Sequence, residues 1–167
     1  GMYRYKNDFS KNASWKKVYK QTFESYNAES AYAEDGTLFL NNDDKSSSFT
    51  VAEKNQNKYL VWNRTQNGSE THIRREFSEI KTGKLVVSAK LKFENEGGKD
   101  VYLYTGNTGY GNSNVIRISN VTKGDTQNAA KVTFVRGNST LGTFDCDFVS
   151  RFGRIDMLCD ADARTFD

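Results

Sequence analysis

Residues 84–93 read KLVVSAKLKF, and apolar side chains fall on alternate positions: Leu85, Val87, Ala89, Leu91 and Phe93. A strand turns successive side chains to opposite faces, so this alternation predicts a half-buried strand. Lys84, Ser88, Lys90 and Lys92 are then expected to point to water. The same period returns at 58–64, at 71–77 with Ile73, Arg75 and Phe77 on one face, and at 101–105, 115–121, 131–136 and 140–147. A last strand is predicted at 154–161. Turn residues punctuate the series at Gln66-Asn67-Gly68, at Gly97-Gly98 and at Gly153. Short strands at this spacing predict an antiparallel sandwich or barrel. No amphipathic helix of ordinary length, internal repeat or second domain competes.

The first part of the chain is less regular. Residues 1–14 are polar and are expected to form a flexible N-terminal segment ahead of a single domain over 15–167. A strand is predicted at 15–23, anchored by Trp15, Val18 and Phe23, then a turn or short helical piece at 27–30. The Glu34-Asp35-Gly36 turn leads into a short strand at 37–40. Residues 41–48, NNDDKSSS, read as a loop by composition.

Composition narrows the classes. A chain of 167 residues can bury the core of one domain without staples. Mean hydropathy is low at -0.77, yet aromatics reach 13%, and that pairing argues for a folded protein with a very polar surface. The net charge of +3 is too balanced for a nucleic-acid track, and Lys16-Lys17 and Arg74-Arg75 read as solvated strand residues. No apolar run is long enough to span a membrane. Gly1-Met2 reads as a cloning remnant, so the lack of a leader leaves the compartment open. The single histidine, His72, excludes metal sites built on several imidazoles and is expected as an exposed strand residue in THIRREF.

The stretch 144–167, FDCDFVSRFGRIDMLCDADARTFD, reads as two strands, with Phe144, Cys146 and Phe148 on one face and Ile155, Met157 and Cys159 on the next. It closes on Asp160 and the pair Phe166-Asp167. Together with TFES at 22–25, KYLVW at 58–62 and EIKTGKLVVSAKLKF at 79–93, it resembles concanavalin A-like (laminin-G-like) jelly-roll domains across residues 15–167. In those domains an aromatic opens a strand that reaches a hinge Asp. The family's closing strand after the aromatic-Asp pair is absent here, so either the domain ends short or the sequence is cut at Asp167. The resemblance implies an all-β, two-sheet antiparallel sandwich. It further implies a non-catalytic carbohydrate-binding domain of a bacterial polysaccharide-utilising system, secreted or at the cell surface, with a polysaccharide or oligosaccharide as partner. Two alternatives stay open: a glycoside hydrolase or polysaccharide lyase of the same fold, and a laminin-G-like protein-adhesion module.

The residues speak against catalysis. Retaining hydrolases of this fold place two carboxylates on one strand face, whereas Asp156 and Asp160 stand ~13 Å apart along theirs. IRREF at 73–77 is arginine-rich, but no Gln-x-His accompanies it, and YTGNTGYGN at 104–112 lacks the lysine of the lyase pattern. Binding chemistry fits better. Sugar rings offer apolar C–H faces to exposed aromatics, while arginines hold hydroxyls or uronate carboxylates. Trp62 alternates with Leu60 and Arg64. Tyr102 and Tyr104 share the face away from Val101 and Leu103, and Arg117 faces away from Ile116 and Ile118. With Arg75 these make the candidate ligand residues: Trp62, Arg64, Arg75, Tyr102, Tyr104 and Arg117. No cofactor is expected. Asp35, Asp43 and Asp44 are the loop carboxylates that a structural calcium would use, but they lack EF-hand spacing. Cys146 and Cys159 are expected on neighbouring strands, displaced by a loop over 149–153 and left as two buried free thiols.

Overall fold

The computed structural model describes residues 15–36, 38–41, 45–64, 71–94, 101–105, 114–123, 128–136, 139–146, 148 and 151–166. The flexible segment expected at 1–14 lies outside them. Among the described residues all regular structure is β, every strand pairing is antiparallel, and no helix occurs. The chain divides into two compact units, with residues 13–79 in one and 80–167 in the other.

In residues 13–79, β1 (Ser30–Ala31), β3 (Ser47–Lys54) and β4 (Asn57–Arg64) form one sheet in the order β1-β3-β4, and β2 (Phe39–Asn41) pairs with β5 (His72–Arg74). The hairpin β3–β4 is closed by two residues, Asn55 and Gln56, with φ of 52° and 63°. Positive φ at both central positions matches the right-handed twist of the flanking strands, and Asn tolerates it better than most side chains. Strand β3 corrects the loop expected over 41–48. Ser47, Phe49 and Val51 alternate inward and are buried, while Ser48 and Thr50 are exposed. Buried Tyr32, Phe49 and Val51 form the core, with Phe23, Tyr26, Leu38, Leu40, Leu60 and Ile73 packed against them. The rings of Phe23, Tyr26 and Tyr32 meet at centroid distances of 5.2–6.1 Å, one pair edge-on.

Several expectations for this part are overturned. Residues 15–23 form no strand. Phe23 has φ of 62°, its N–H donates to Gln21 Oε1 at 2.8 Å, and its carbonyl accepts from Tyr26 N–H at 3.1 Å, which makes a turn where the strand would continue. By contrast, residues 27–30 form a turn, one of the two forms expected, and run into β1. Strand β5 stops at Arg74. Ile73 reaches the core, but Phe77 is 43% exposed, so the face expected to hold Ile73, Arg75 and Phe77 does not exist. His72 is half-buried rather than exposed.

Residues 80–167 carry β6 (Lys84–Leu91), β7 (Val101–Thr105), β8 (Asn114–Lys123), β9 (Asn128–Arg136), β10 (Ser139–Cys146), β11 (Gly153–Asp160) and β12 (Thr165–Phe166). One sheet has the order β10-β9-β8-β7 and the other β12-β11-β6. Register between β6 and β11 sets Leu85, Val87, Ala89 and Leu91 opposite Cys159, Met157, Ile155 and Gly153. Met157 and Ile155 are buried, so the expected inward face is the inward face. Its β6 members and Phe93 are half-buried rather than fully enclosed. Lys84, Ser88 and Lys90 are exposed as expected. Lys92 is half-buried, past the strand's end, with its ammonium 3.7 Å from Glu94. In the four-stranded sheet, pairing lines up Val101, Ile118, Val132 and Phe144 in one row and Leu103, Ile116, Phe134 and Gly142 in the next, all on one face. Thr105, on that face, sets its Oγ1 3.9 Å from Met157 Sδ and 3.8 Å from Cys159 Sγ, linking β7 to the inner face of β11.

The C-terminal corner is built by carboxylates. Asp160 Oδ1 accepts from the N–H groups of Asp162 and Ala163, both at 3.0 Å, and Asp162 Oδ2 accepts from Gly83 N–H at 3.1 Å. Arg164 at φ of 57° completes the turn into β12. Cys146 and Cys159 do not lie on neighbouring strands. β10 pairs with β9, whereas β11 pairs with β6 and β12. Cys159 is a half-buried free thiol, and the Cys146 side chain lies outside the described residues. Phe148 is buried and falls after β10.

Two outcomes test this packing. The ring of Phe148 occupies the space where Gly153 would carry a Cβ. Gly153→Ala should therefore destabilise the protein by about 1–3 kcal/mol in urea denaturation. Pairing it with Phe148→Leu should recover part of the loss, and an unchanged midpoint in the single variant would contradict the contact. Burial pushes the Tyr32 hydroxyl far above its ordinary pKa of 10. The folded state then holds this proton more tightly than the unfolded state. Its contribution to stability should be complete below pH 10 and fall as pH rises further. Tyr32→Phe should flatten that alkaline decline in a pH series of denaturation midpoints.

Candidate functional site

Three of the six candidate residues lie in residues 80–167. Tyr102 on β7 stands directly opposite Arg117 on β8, and Arg117 directly opposite Thr133 on β9, which faces Thr143 on β10. The row runs across the sheet on the face away from Val101, Leu103, Ile116 and Ile118. Side chains directly opposed in an antiparallel pair have Cβ atoms roughly 5 Å apart, so Tyr102 and Arg117 are neighbours through backbone pairing alone. Because β7 is the sheet's edge strand, Tyr102 forms its rim and is 41% exposed. Arg117 is half-buried, and Thr133 is buried. Tyr104 shares this face by register, opposite Val115, while its side chain lies outside the described residues.

The Arg117 Nε is buried without a hydrogen-bond partner, one of four such side-chain atoms among the described residues. Arg154 differs, with Nε 2.9 Å from Asp156 Oδ1, as does Arg74, 3.3 Å from Glu76.

Residues 13–79 hold the other three. Trp62 and Arg64 share one face of β4, opposite Phe49 and Ser47. Trp62 is 39% exposed, yet its ring lies against Phe49 at 5.4 Å and its indole N–H donates to Ser47 Oγ at 2.9 Å. Arg64 is half-buried beside it. Arg75 lies beyond β5 and caps the Tyr19 ring at 4.7 Å, a cation–π contact. The strands therefore bring together Tyr102 with Arg117, and Trp62 with Arg64.

Carboxylates that would do chemistry are engaged elsewhere. Asp156 accepts from Ser88 Oγ at 2.5 Å and from Arg154, and Asp160 holds its turn. Asp35, one of the calcium-ligand candidates, accepts from Leu38 N–H at 3.2 Å and Gln21 Nε2 at 3.3 Å; Asp43 and Asp44 lie outside the described residues. Among the described residues no group of three or more His, Cys, Asp or Glu side chains is arranged to hold a metal ion, and no helix is long and apolar enough to cross a membrane. Thr133 and Ser47 were missed by reading the chain alone. Period-two alternation assigned their neighbours to faces but could not say which strand lies beside which.

Compared with known proteins, the chain matches no family model, no curated protein and no solved structure.

The Trp62 geometry has a direct test. Ser47→Ala removes the acceptor of the indole N–H and should cost about 0.5–1.5 kcal/mol. It should also shift the Nε1–H resonance of Trp62, and an unmoved resonance would contradict the hydrogen bond.

Proposed function

We propose that the chain is a non-catalytic carbohydrate-binding domain built as a concanavalin A-like β-sandwich, serving a bacterial polysaccharide-utilising system outside the cell. The observation that carries this reading is the exposed Tyr102 ring directly opposite Arg117 on two paired strands. A sugar ring needs a flat aromatic surface and a hydrogen-bonding group held at fixed separation, and strand pairing supplies both without an ordering cost on binding. The contact between Thr105 on β7 and Met157 and Cys159 on β11 supports a sandwich arrangement of the two sheets in this unit. The engagement of Asp156 and Asp160 in a salt bridge and a turn supports binding over hydrolysis, because a general acid and its partner carboxylate must both face the substrate.

A glycan array probed with the whole chain tests the reading, followed by titration of the ligands found. Tyr102→Ala should weaken binding about 3- to 10-fold, the loss of one aromatic contact, and leave the melting temperature nearly unchanged. New reducing ends from a polysaccharide panel would instead show a catalytic domain. Binding indifferent to Tyr102, or binding to a protein that free sugars do not displace, would overturn the proposal.

A further inference from the structure

We propose that the open edge of β6 takes an added strand from a partner: an extended peptide with alternating apolar residues and acidic side chains facing Lys84 and Lys90. This interaction surface stands apart from the glycan reading above and does not rest on it. In the order β12-β11-β6, β6 is an edge of its sheet over eight residues. Ala161 N–H donates to the Gly83 carbonyl at 2.8 Å, and the register between β6 and β11 then runs without a shift from Lys84 to Leu91. Backbone groups in an antiparallel ladder alternate in direction, so Leu85, Val87, Ala89 and Leu91 bond to β11. The N–H and C=O groups of Lys84, Val86, Ser88 and Lys90 therefore point away from it, and among the described residues no strand pairs with them. An open row of this kind is the template for strand addition.

Side chains choose the occupant. On the inner face Leu85, Val87 and Leu91 are half-buried, whereas Ile155 and Met157 on β11 are buried. Apolar side chains on an added strand would extend that layer past β6. On the outer face Lys84, Ser88 and Lys90 are exposed. Lys84 stands opposite Asp160, but Lys90 stands opposite Arg154. These are non-hydrogen-bonded positions, where opposed side chains come closest, and like charges there are unfavourable. Asp156 accepts from Arg154 Nε at 2.9 Å, whereas Lys90 forms no ion pair among the described residues. An acidic residue on the added strand would lie on the open side of Lys90 and offset that repulsion. A second copy fits worse, because two β6 edges aligned antiparallel over their whole length set Lys84 of each copy against Lys90 of the other.

The probe is the capped peptide Glu-Val-Thr-Val-Thr-Val-Glu, which in antiparallel pairing sets its two glutamates opposite Lys84 and Lys90. Amide hydrogen exchange is followed by NMR in the full chain with the peptide at millimolar concentration. The Val86, Ser88 and Lys90 amides should exchange about tenfold more slowly, while those of Val87 and Ala89, already bonded to β11, should change little. The same peptide N-methylated at both threonines, which removes N–H groups that face β6, should give no protection. Replacing its glutamates with lysine should weaken binding about tenfold, and Lys90→Glu should reverse the preference between the two peptides. Lys90→Glu also places opposite charges across the pair with Arg154, so the variant should melt no lower than the parent. Equal protection by the acidic and the lysine peptides would overturn the acidic assignment, and protection by neither would overturn strand addition. Slow exchange of Val86 and Ser88 in the free protein would show the edge already covered, by a second copy or by the chain's own segments, and would overturn the proposal as well.

Discussion

Backbone pairing register is the constraint on which the rest of residues 80–167 depends. Side chains alternate with a period of two, so sliding β8 by one residue against β7 would exchange Arg117 for Ile116 or Ile118 beside Tyr102. The same slip would carry a charged group onto the face that holds Val101 and Leu103. In this sheet Val101 and Leu103 are half-buried and the buried Thr133 and Val135 lie on the face of Arg117, so both faces constrain the register that places the candidate site. Between β6 and β11 the logic repeats: the buried Met157 and Ile155 hold Val87 and Ala89 opposite them, and the outward row pairs Ser88 with Asp156.

Polar side chains in this protein mostly fasten turns. Glu34 accepts from Leu40 N–H at 2.8 Å, Asp35 from Leu38, and Asp160 from two backbone N–H groups of the turn that follows it. Lys58 Nζ donates to the carbonyls of Tyr26 and Glu24 at 2.9 and 3.2 Å, while its own N–H donates to Glu24 Oε1 at 3.2 Å. The buried hydroxyls of Ser46 and Thr71 satisfy one another at 3.1 Å. Four buried side-chain atoms among the described residues depart from this pattern, Arg117 Nε among them, and a desolvated donor is costly.

How much of this was legible in the chain depended on the local signal. Residues 101–105 and 84–91 announce themselves because one face is apolar and the other is not. Strand β3 did not, because its first residues continue the polar run NNDDKSSS and its apolar alternation amounts to Phe49 and Val51. The two-residue turn after it lacks the Gly that usually marks such hairpins, with Gln56 at positive φ instead. Trp15, Val18 and Phe23 looked like strand anchors, but the left-handed backbone at Phe23 turns the chain out of extension. The candidate residues were readable as aromatic and basic positions on strand faces. Their grouping was not, because strand neighbours are a long-range property: Tyr102 meets Arg117 across fifteen residues (117 − 102), and β11 skips β10 to pair with β6.

The central claim, that pairing sets Tyr102 beside Arg117 and Arg117 beside Thr133, is tested most directly by cross-strand nuclear Overhauser effects between backbone protons. The expected pattern links Tyr102 with Arg117, Arg117 with Thr133, and Val101 with Ile118. Contacts centred on Tyr102 with Ile116 or Ile118 would mean a register shifted by one, and would contradict both the fold of this sheet and the site built on it.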